Sequence, residues 1–236
     1  MPNESTFVSG RLGLQGREVL RRIFAFLFWL FARVEIVGLE QVPRTGGHLI
    51  TPNHLSRFDA ALVFAALPQR RLVAFVADTY RRRAFFRWIT EMIDVIWVNR
   101  GATGPSVIKA AVQVLRAGHL LGLAPEGTRS PTHQLQTGKT GAAFLALTAN
   151  VPLIPVAVTN TEHLGVAMKR WHRIPIRIEF GKPYTLPPPP TRRPDEAHLE
   201  TCTTEIMCRI AALLPPEYRG VYADHPRTQA LLIDDC

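Results

Sequence analysis

Short apolar runs that alternate with longer helical patterns are the feature that most restricts how this chain can fold. The helical patterns include residues 105–117, which carry apolar side chains on one side and stop before Gly118, and residues 140–150. This alternation predicts an α/β fold with a mainly parallel or mixed sheet flanked by helices. The runs of strand length occupy residues 48–52, 72–77, 95–99, 120–124, 153–159 and 174–180.

Polar residues follow the first of these runs, at the edge where parallel strands end and ligands gather. His54 is a candidate base, and Asp59 is a carboxylate able to orient it and to stabilise its cationic form. Residues five apart on a regular helix are rotated by roughly 140°. His54 must therefore precede the helix that we expect at residues 60–67, with Ser56 as its N-cap. Ser-x-x-Asp also resembles a capping box, so catalysis and helix capping explain Asp59 equally well.

A second polar segment, Pro-Glu-Gly-Thr-Arg-Ser at residues 125–130, follows the run at residues 120–124. Its glycine indicates a tight turn, and its hydroxyls, backbone N–H groups and planar guanidinium suit the oxygens of a phosphate. Taken alone, such a segment is more often a solvated turn in which Glu126 and Arg129 pair. Lys139 adds charge just beyond the turn, and an ordinary surface lysine explains it equally well.

Together these segments resemble the lysophospholipid and glycerophosphate acyltransferase family. His54 and Asp59 fit the family's pattern of histidine, four residues and aspartate, and residues 125–130 fit its substrate-binding turn. Two further blocks follow the family's order: residues 95–100 resemble its apolar segment ending in arginine, and residues 151–156 resemble its proline-containing strand. The resemblance extends from about Val34 to Tyr222. The chain departs from the family pattern at Asp94, where many relatives have glycine, and at Ala124, where phenylalanine is commoner.

The resemblance implies a glycerolphosphate-acyltransferase-like fold and transfer of a fatty acyl group from an acyl thioester to the free hydroxyl of a lysophospholipid. The leading acceptor is 1-acylglycerol-3-phosphate, which would give phosphatidic acid. His54 would act as the base and Asp59 as its partner. Acyl-CoA or acyl carrier protein would be the donor substrate, and no cofactor or metal is expected. The residues that the resemblance assigns to substrate binding are Arg100, Glu126, Gly127, Thr128 and Arg129.

Three alternatives stay open at this point. The acceptor could be another lysolipid or a lyso-aminolipid, because the same base and thioester chemistry would serve it. A lipid hydrolase could use a His-Asp pair, but the Gly-x-Ser-x-Gly motif is absent from the chain. A non-catalytic membrane-binding module would explain the charge of the chain but not its two ordered polar segments.

The formal net charge of +9 predicts an anionic partner, either nucleic acid or a membrane surface. The basic clusters at residues 70–71 and 81–83 suit both, but the sequence has no recognised nucleic-acid motif, so we expect no nucleic-acid partner. Residues 23–32 are an uninterrupted apolar run of ten residues flanked by arginines. A spanning helix needs about 20 apolar residues, so this run suits an interfacial helix on an anionic membrane surface; an ordinary buried helix is the alternative.

The remaining features concern domains and compartment. We expect residues 1–33 to form a tail and a membrane-associating helix, and residues 34–236 to form the acyltransferase domain with a C-terminal helix after the proline-rich connector at residues 187–194. Cys202, Cys208 and Cys236 have no metal or redox spacing, which indicates a reducing compartment. No signal peptide is recognisable. We therefore expect a peripheral or monotopic enzyme on the cytoplasmic face of the cell membrane.

Overall fold

The fold is a mixed sheet of eight strands in a computed structural model that describes residues 7–234, except 68–69, 78, 81–86, 88, 91, 99–103 and 192. The strands are β1 (Phe7–Val8), β2 (Ala32–Val37), β3 (His48–Pro52), β4 (Leu72–Ala77), β5 (Val95–Val98), β6 (Leu120–Gly122), β7 (Leu153–Thr159) and β8 (Ile174–Phe180). Their order across the sheet is β1-β5-β4-β6-β3-β7-β8-β2. The five strands from β5 to β7 in this order are mutually parallel, whereas β1 and β8 are antiparallel to their neighbours β5 and β7. The prediction of an α/β fold with a mainly parallel or mixed sheet is confirmed.

Helices cover both faces of the sheet. They are α1 (Leu14–Phe31), α2 (Asp59–Ala66), α3 (Pro105–Arg116), α4 (Gly141–Ala149), α5 (Leu164–Lys169), α6 (Glu196–Leu213) and α7 (Pro226–Asp234). One core cluster joins α1, α2 and α5 to the sheet, and a second joins α3, α4, α6 and α7 to the opposite face. All seven residues of β7 are buried, because alternate side chains of this strand enter the two clusters.

Local sequence explains where these elements begin and end. Helix α3 has Pro105 in its first turn, where a missing N–H costs nothing, and it ends just before Gly118, which adopts a left-handed φ of 84°. Helix α4 is capped at its C-terminal end by Asn150, whose φ of 55° is also left-handed. Strand β6 is shorter than expected because residues 123–124 already lead into the following turn.

Asp94 ties the start of the chain to the sheet. Its carboxylate is fully buried and accepts hydrogen bonds from the guanidinium groups of Arg17 and Arg71 and, at 3.0 Å, from the backbone N–H of Gly10. Burial alone would raise the pKa of Asp94. The hydrogen bonds from Arg71 and Arg17 outweigh this effect and hold the pKa well below its ordinary value. The departure from the family pattern at this position therefore has a structural role: it anchors the beginning of α1.

Candidate active site

The candidate site lies at the edge of the sheet where β3, β6 and β7 end. These strands are neighbours in the order β6-β3-β7 and run parallel. The segments that follow them, residues 53–58, 123–139 and 160–163, therefore start side by side. In open parallel sheets this edge is where ligands bind.

The His54 and Asp59 side chains meet at this edge. The Nδ1–H of His54 donates to Oδ2 of Asp59 at 2.8 Å, the carboxylate is buried, and the imidazole is about a quarter exposed, at 27%. With its proton held on Nδ1 by the carboxylate, the neutral imidazole keeps Nε2 free of hydrogen and able to take a proton. The pair has the geometry of a base and its orienting group.

Asp59 accepts four further hydrogen bonds. Its Oδ2 also accepts from the backbone N–H groups of Leu55 and Ser56, both at 2.8 Å, while its Oδ1 accepts from the hydroxyls of Ser56 at 3.0 Å and Thr161 at 2.5 Å. One carboxylate therefore both orients the histidine and satisfies the backbone ahead of α2. It does not cap the helix as a capping box would, because Asp59 is itself the first residue of α2. The prediction that Ser56 is the N-cap is wrong, because the helix begins at Asp59 itself, with Phe58 in the capping position.

Glu126 holds the backbone of the histidine. Its side chain is 2% exposed; Oε1 accepts the N–H of His54 at 2.8 Å, and Oε2 accepts the backbone N–H of Gln136 at 3.2 Å. The N–H of Ser130 donates to the carbonyl of His54 at 2.9 Å. The second polar segment therefore bonds both the N–H and the carbonyl of His54. Burial raises the pKa of Glu126, and the hydrogen bond from the N–H of His54 partly offsets that effect.

The turn after Glu126 presents positive charge. Gly127 has a φ of 71°, a conformation that favours glycine, and both Thr128 and Arg129 are exposed. The end of the Lys139 side chain lies over this turn: its Cδ, Cε and Nζ are 3.0–3.2 Å from the point where a Cβ on Gly127 would stand. The paired-turn alternative does not hold, because the Glu126 carboxylate bonds the backbone of the histidine loop rather than Arg129.

Residues 33–159 match the family model described as Acyltransferase, which is more than half of the chain. The chain belongs to this acyltransferase family. Among curated relatives, the probable 1-acyl-sn-glycerol-3-phosphate acyltransferase of Mycoplasma pneumoniae is 26% identical over 170 residues, which cover 70% of this chain and 64% of that protein. The 1-acyl-sn-glycerol-3-phosphate acyltransferase of Borreliella burgdorferi is 26% identical over 151 residues, 63% of this chain and 60% of that protein. The matched part thus spans about three fifths of the length of these curated relatives.

A solved structure shares the fold of this acyltransferase family member. The crystal structure of the 1-acyl-sn-glycerophosphate (LPA) acyltransferase PlsC from Thermotoga maritima matches with a TM-score of 0.58 and 23% sequence identity. The match covers 82% of this chain and 76% of that chain. At this identity the likeness concerns the fold alone, and it agrees with the mixed sheet described above.

In this family member, residues 218–222 brace both site loops, and sequence reasoning did not find them. The hydroxyl of Tyr218 donates to Oε1 of Glu162 at 2.8 Å, next to the Thr161 that contacts Asp59. The carbonyl of Tyr218 accepts the N–H of Leu135 at 2.9 Å, and the hydroxyl of Tyr222 accepts the N–H of Gly138 at 3.1 Å. The position of Thr161 just after β7 could have predicted that it lies at the site edge. Nothing in the sequence around Tyr218 or Tyr222 predicts their contacts with the site loops.

Several features predicted from the sequence are not part of the described site. Arg100, the basic cluster at residues 81–83 and Cys236 lie outside the described residues. Arg70 and Arg71 are engaged within the fold, the first by the carbonyls of Pro43 and Gly46 and the second by Asp94, so the cluster at residues 70–71 is structural. Over the part of the chain that is described, no three His, Cys, Asp or Glu side chains converge as metal ligands.

Proposed function

We propose that this chain transfers a fatty acyl group from an acyl thioester to the free hydroxyl of a lysophospholipid, with 1-acylglycerol-3-phosphate as acceptor and phosphatidic acid as product. The observation that carries the proposal is the hydrogen bond between His54 and the buried Asp59, beside a turn with exposed cations. The two relatives named above support the choice of acceptor, because their names specify 1-acyl-sn-glycerol-3-phosphate as the acceptor.

In the proposed reaction, Nε2 of His54 takes the proton of the acceptor hydroxyl while the oxygen attacks the carbonyl carbon of the thioester. The carbon–oxygen bond forms, the tetrahedral intermediate collapses, the carbon–sulfur bond breaks, and the departing thiolate receives the proton from His54. Asp59 stabilises the imidazolium in between. General-base assistance contributes about 10²- to 10⁴-fold, and holding the two substrates together adds to it.

The turn at Gly127 would bind the phosphate of the acceptor. A phosphate monoester carries nearly two negative charges at neutral pH, and the planar fork of Arg129 can bond two of its oxygens. Thr128 can donate its hydroxyl, Lys139 supplies a second cation above the turn, and Arg100 is proposed as a further phosphate contact. The resemblance assigned Glu126 to substrate binding, and we propose a different part for it: its buried carboxylate fixes the backbone of His54, while the exposed residues of the turn bind the acceptor.

The donor is proposed to be acyl-CoA or acyl carrier protein, because either presents a thioester to the same base. The reaction uses no cofactor, since the leaving thiolate and the attacking hydroxyl balance the transfer between them.

We also propose that α1 holds the enzyme on the cytoplasmic face of the membrane as a peripheral or monotopic protein. None of the described helices is long and apolar enough to cross a bilayer. Helix α1 packs Leu20 and Phe28 against the core, so the buried-helix alternative describes one side of it. The other side exposes apolar residues, as an interfacial helix does. The exposed ones are Val19, Ile23, Phe26, Leu27, Trp29 and Leu30.

Thiol release from acyl-CoA, with and without lysophosphatidic acid, tests the reaction. We expect acceptor-dependent release and phosphatidic acid from the wild type, and neither from His54→Ala. The matched control is His198→Ala, because His198 lies in α6 on the opposite face of the sheet. Release without acceptor would indicate hydrolysis and contradict the proposal, and a product formed only from another lysolipid would change the acceptor. Absence of release calls for the same assay with acyl carrier protein as donor.

A further inference from the structure

The last residue of α5 and the turn that leads to β8 are exposed: they are Lys169, Arg170, Trp171, His172 and Arg173. We name this segment the cationic turn. Trp171 is 83% exposed, more than any other large apolar side chain in the described part of the chain. A single exposed apolar residue is common, but a contiguous exposed apolar patch indicates a partner surface.

The cationic turn is continuous with the exposed side of α1. The Trp171 ring lies 5.4 Å from the Phe31 ring at the end of that helix. The Arg173 guanidinium lies 5.0 Å from the centre of the Trp29 ring and donates to the carbonyl of Ala32 at 2.9 Å. Two elements far apart in sequence thus form one surface, which joins the apolar side of α1 to a group of exposed cations.

The cationic charge of this surface comes from the cationic turn. Residues 164–173 contain Lys169, Arg170 and Arg173 and no acidic residue. On α1, Arg21 and Arg22 form ion pairs with Glu18, so their charge is balanced within the helix. Cationic heads beside exposed aromatic rings match the boundary of a bilayer, where anionic headgroups meet acyl chains.

The surface lies at the same edge of the sheet as the His54–Asp59 pair. Strand β2 begins at Ala32 directly after α1, and Ala32 pairs with Ile174, the residue that follows the cationic turn. Helix α5 starts at Leu164, three residues after the Thr161 that contacts Asp59. A bilayer bound here would therefore present its lipids beside the base.

We propose that the cationic turn is a second membrane-contact element, which binds the phosphates of anionic lipids through Lys169 and Arg170 and places Trp171 at the bilayer boundary. The inference rests on the proposed function, in which a membrane lipid is the acceptor, and it specifies how the membrane is recognised. Docking then requires both α1 and the cationic turn.

Vesicle flotation of the full-length protein tests the charge component. One set of vesicles is phosphatidylcholine alone, and the other is an equimolar mixture with phosphatidylglycerol. We expect Lys169→Gln combined with Arg170→Gln to lower partition onto the mixed vesicles about 30-fold, and to have little effect on phosphatidylcholine alone. The control pair is Lys109→Gln with Arg116→Gln, which removes the same charge from exposed positions of α3 on the opposite face of the sheet. An equal loss in the control pair overturns the proposal, since it would reflect net charge only.

A second variant tests Trp171. Because the backbone φ of Trp171 is +50°, asparagine is the suitable replacement, as it tolerates this conformation. We expect Trp171→Asn to weaken partition onto both kinds of vesicle about tenfold, with Trp171→Phe recovering part of the loss. Ile233→Asn, at another exposed apolar position, is the control and should bind as the wild type does. Unchanged vesicle binding by Trp171→Asn overturns the proposal. So does a wild-type dimer in sedimentation that this variant abolishes, because the surface would then join two copies of the chain.

The binding assay does not depend on catalysis. His54→Ala should float with vesicles as the wild type does, so an inactive protein that still discriminates the two vesicle types supports the cationic turn even if the proposed acyl transfer is wrong. Conversely, acyl transfer to a detergent-dispersed acceptor should survive in Trp171→Asn, which also shows that the variant is folded.

Discussion

Replacing Asp59 by asparagine or by alanine separates the charge of this residue from its hydrogen bonds. In Asp59→Asn the amide oxygen can occupy the place of Oδ2 and accept from His54, Leu55 and Ser56, as the carboxylate does. The amide N–H₂ then faces the hydroxyls of Ser56 and Thr161, which can rotate to accept. The opposite orientation is unfavourable, because it would place the amide N–H₂ against the backbone N–H groups of Leu55 and Ser56. The amide oxygen therefore faces His54, whose proton stays on Nδ1. Only the negative charge is lost.

The magnitudes differ for the two substitutions. Two unit charges about 4 Å apart at an effective dielectric constant near 20 interact by about 4 kcal/mol, so loss of the carboxylate charge should lower kcat about 10³-fold. Asp59→Ala loses the same charge and also leaves the buried N–H groups of Leu55 and Ser56 without an acceptor. At about 1–3 kcal/mol for each group, Asp59→Ala should be less stable to unfolding than Asp59→Asn by about 2–6 kcal/mol.

Initial rates at saturating acceptor measure the first effect, and urea denaturation measures the second. We expect both variants to be nearly inactive and only Asp59→Ala to be strongly destabilised. A kcat for Asp59→Asn within tenfold of the wild type, roughly 1.4 kcal/mol, would refute the electrostatic role of the carboxylate. Equal unfolding free energies for the two variants would refute its part in holding the loop ahead of α2.

Three further predictions use the same assays. Glu126→Gln retains one acceptor oxygen for two backbone N–H groups, so we expect kcat to fall about tenfold with the acceptor KM unchanged; a raised KM at constant kcat would show direct contact with the acceptor instead. Lys139→Met should raise the KM for lysophosphatidic acid more than that for lysophosphatidylethanolamine, and Lys109→Met should alter neither; equal effects of Lys139→Met on both acceptors would argue against a phosphate contact. Hydrogen bonds from Arg227 lower the pKa of Glu205 below 4.5, against the opposing effect of burial. The wild type should therefore be more stable than Glu205→Gln above pH 4.5, and the difference should vanish as the pH falls through the lowered pKa, as urea denaturation at several pH values will test.

Strands β4, β7 and β8 have the bounds expected from the sequence. Strands β4 and β7 are nearly continuous apolar runs, whereas β8 alternates buried apolar residues with Pro175, Arg177 and Glu179. Strand β2 was not predicted. It follows α1 with no connecting residue, since Ala32 is both the end cap of the helix and the first residue of the strand, and no glycine or proline marks the change.

The candidate site was predictable only where its residues are close in sequence. His54 and Asp59 lie in one short segment, so their spacing alone limits how they can meet. Thr161 and Tyr218 reach the site from more than 100 residues further along the chain, and their contacts depend on how the sheet is assembled. The bond from Glu126 to the N–H of His54 was equally inaccessible, because the direction of a backbone N–H is set by the fold rather than by residue type.

The brace formed by Tyr218 and Tyr222 also fixes when the candidate site can be completed during synthesis of the chain. Residues 14–31 leave the ribosome early and already contain the apolar side of α1. The contacts that hold the loops at residues 134–138 and 160–162 can form only after residue 222 has been added. The apolar side of α1 is thus synthesised before the residues that complete the candidate site. A truncation between residues 213 and 218 would keep all eight described strands and α6 but would remove the contacts that support the site loops.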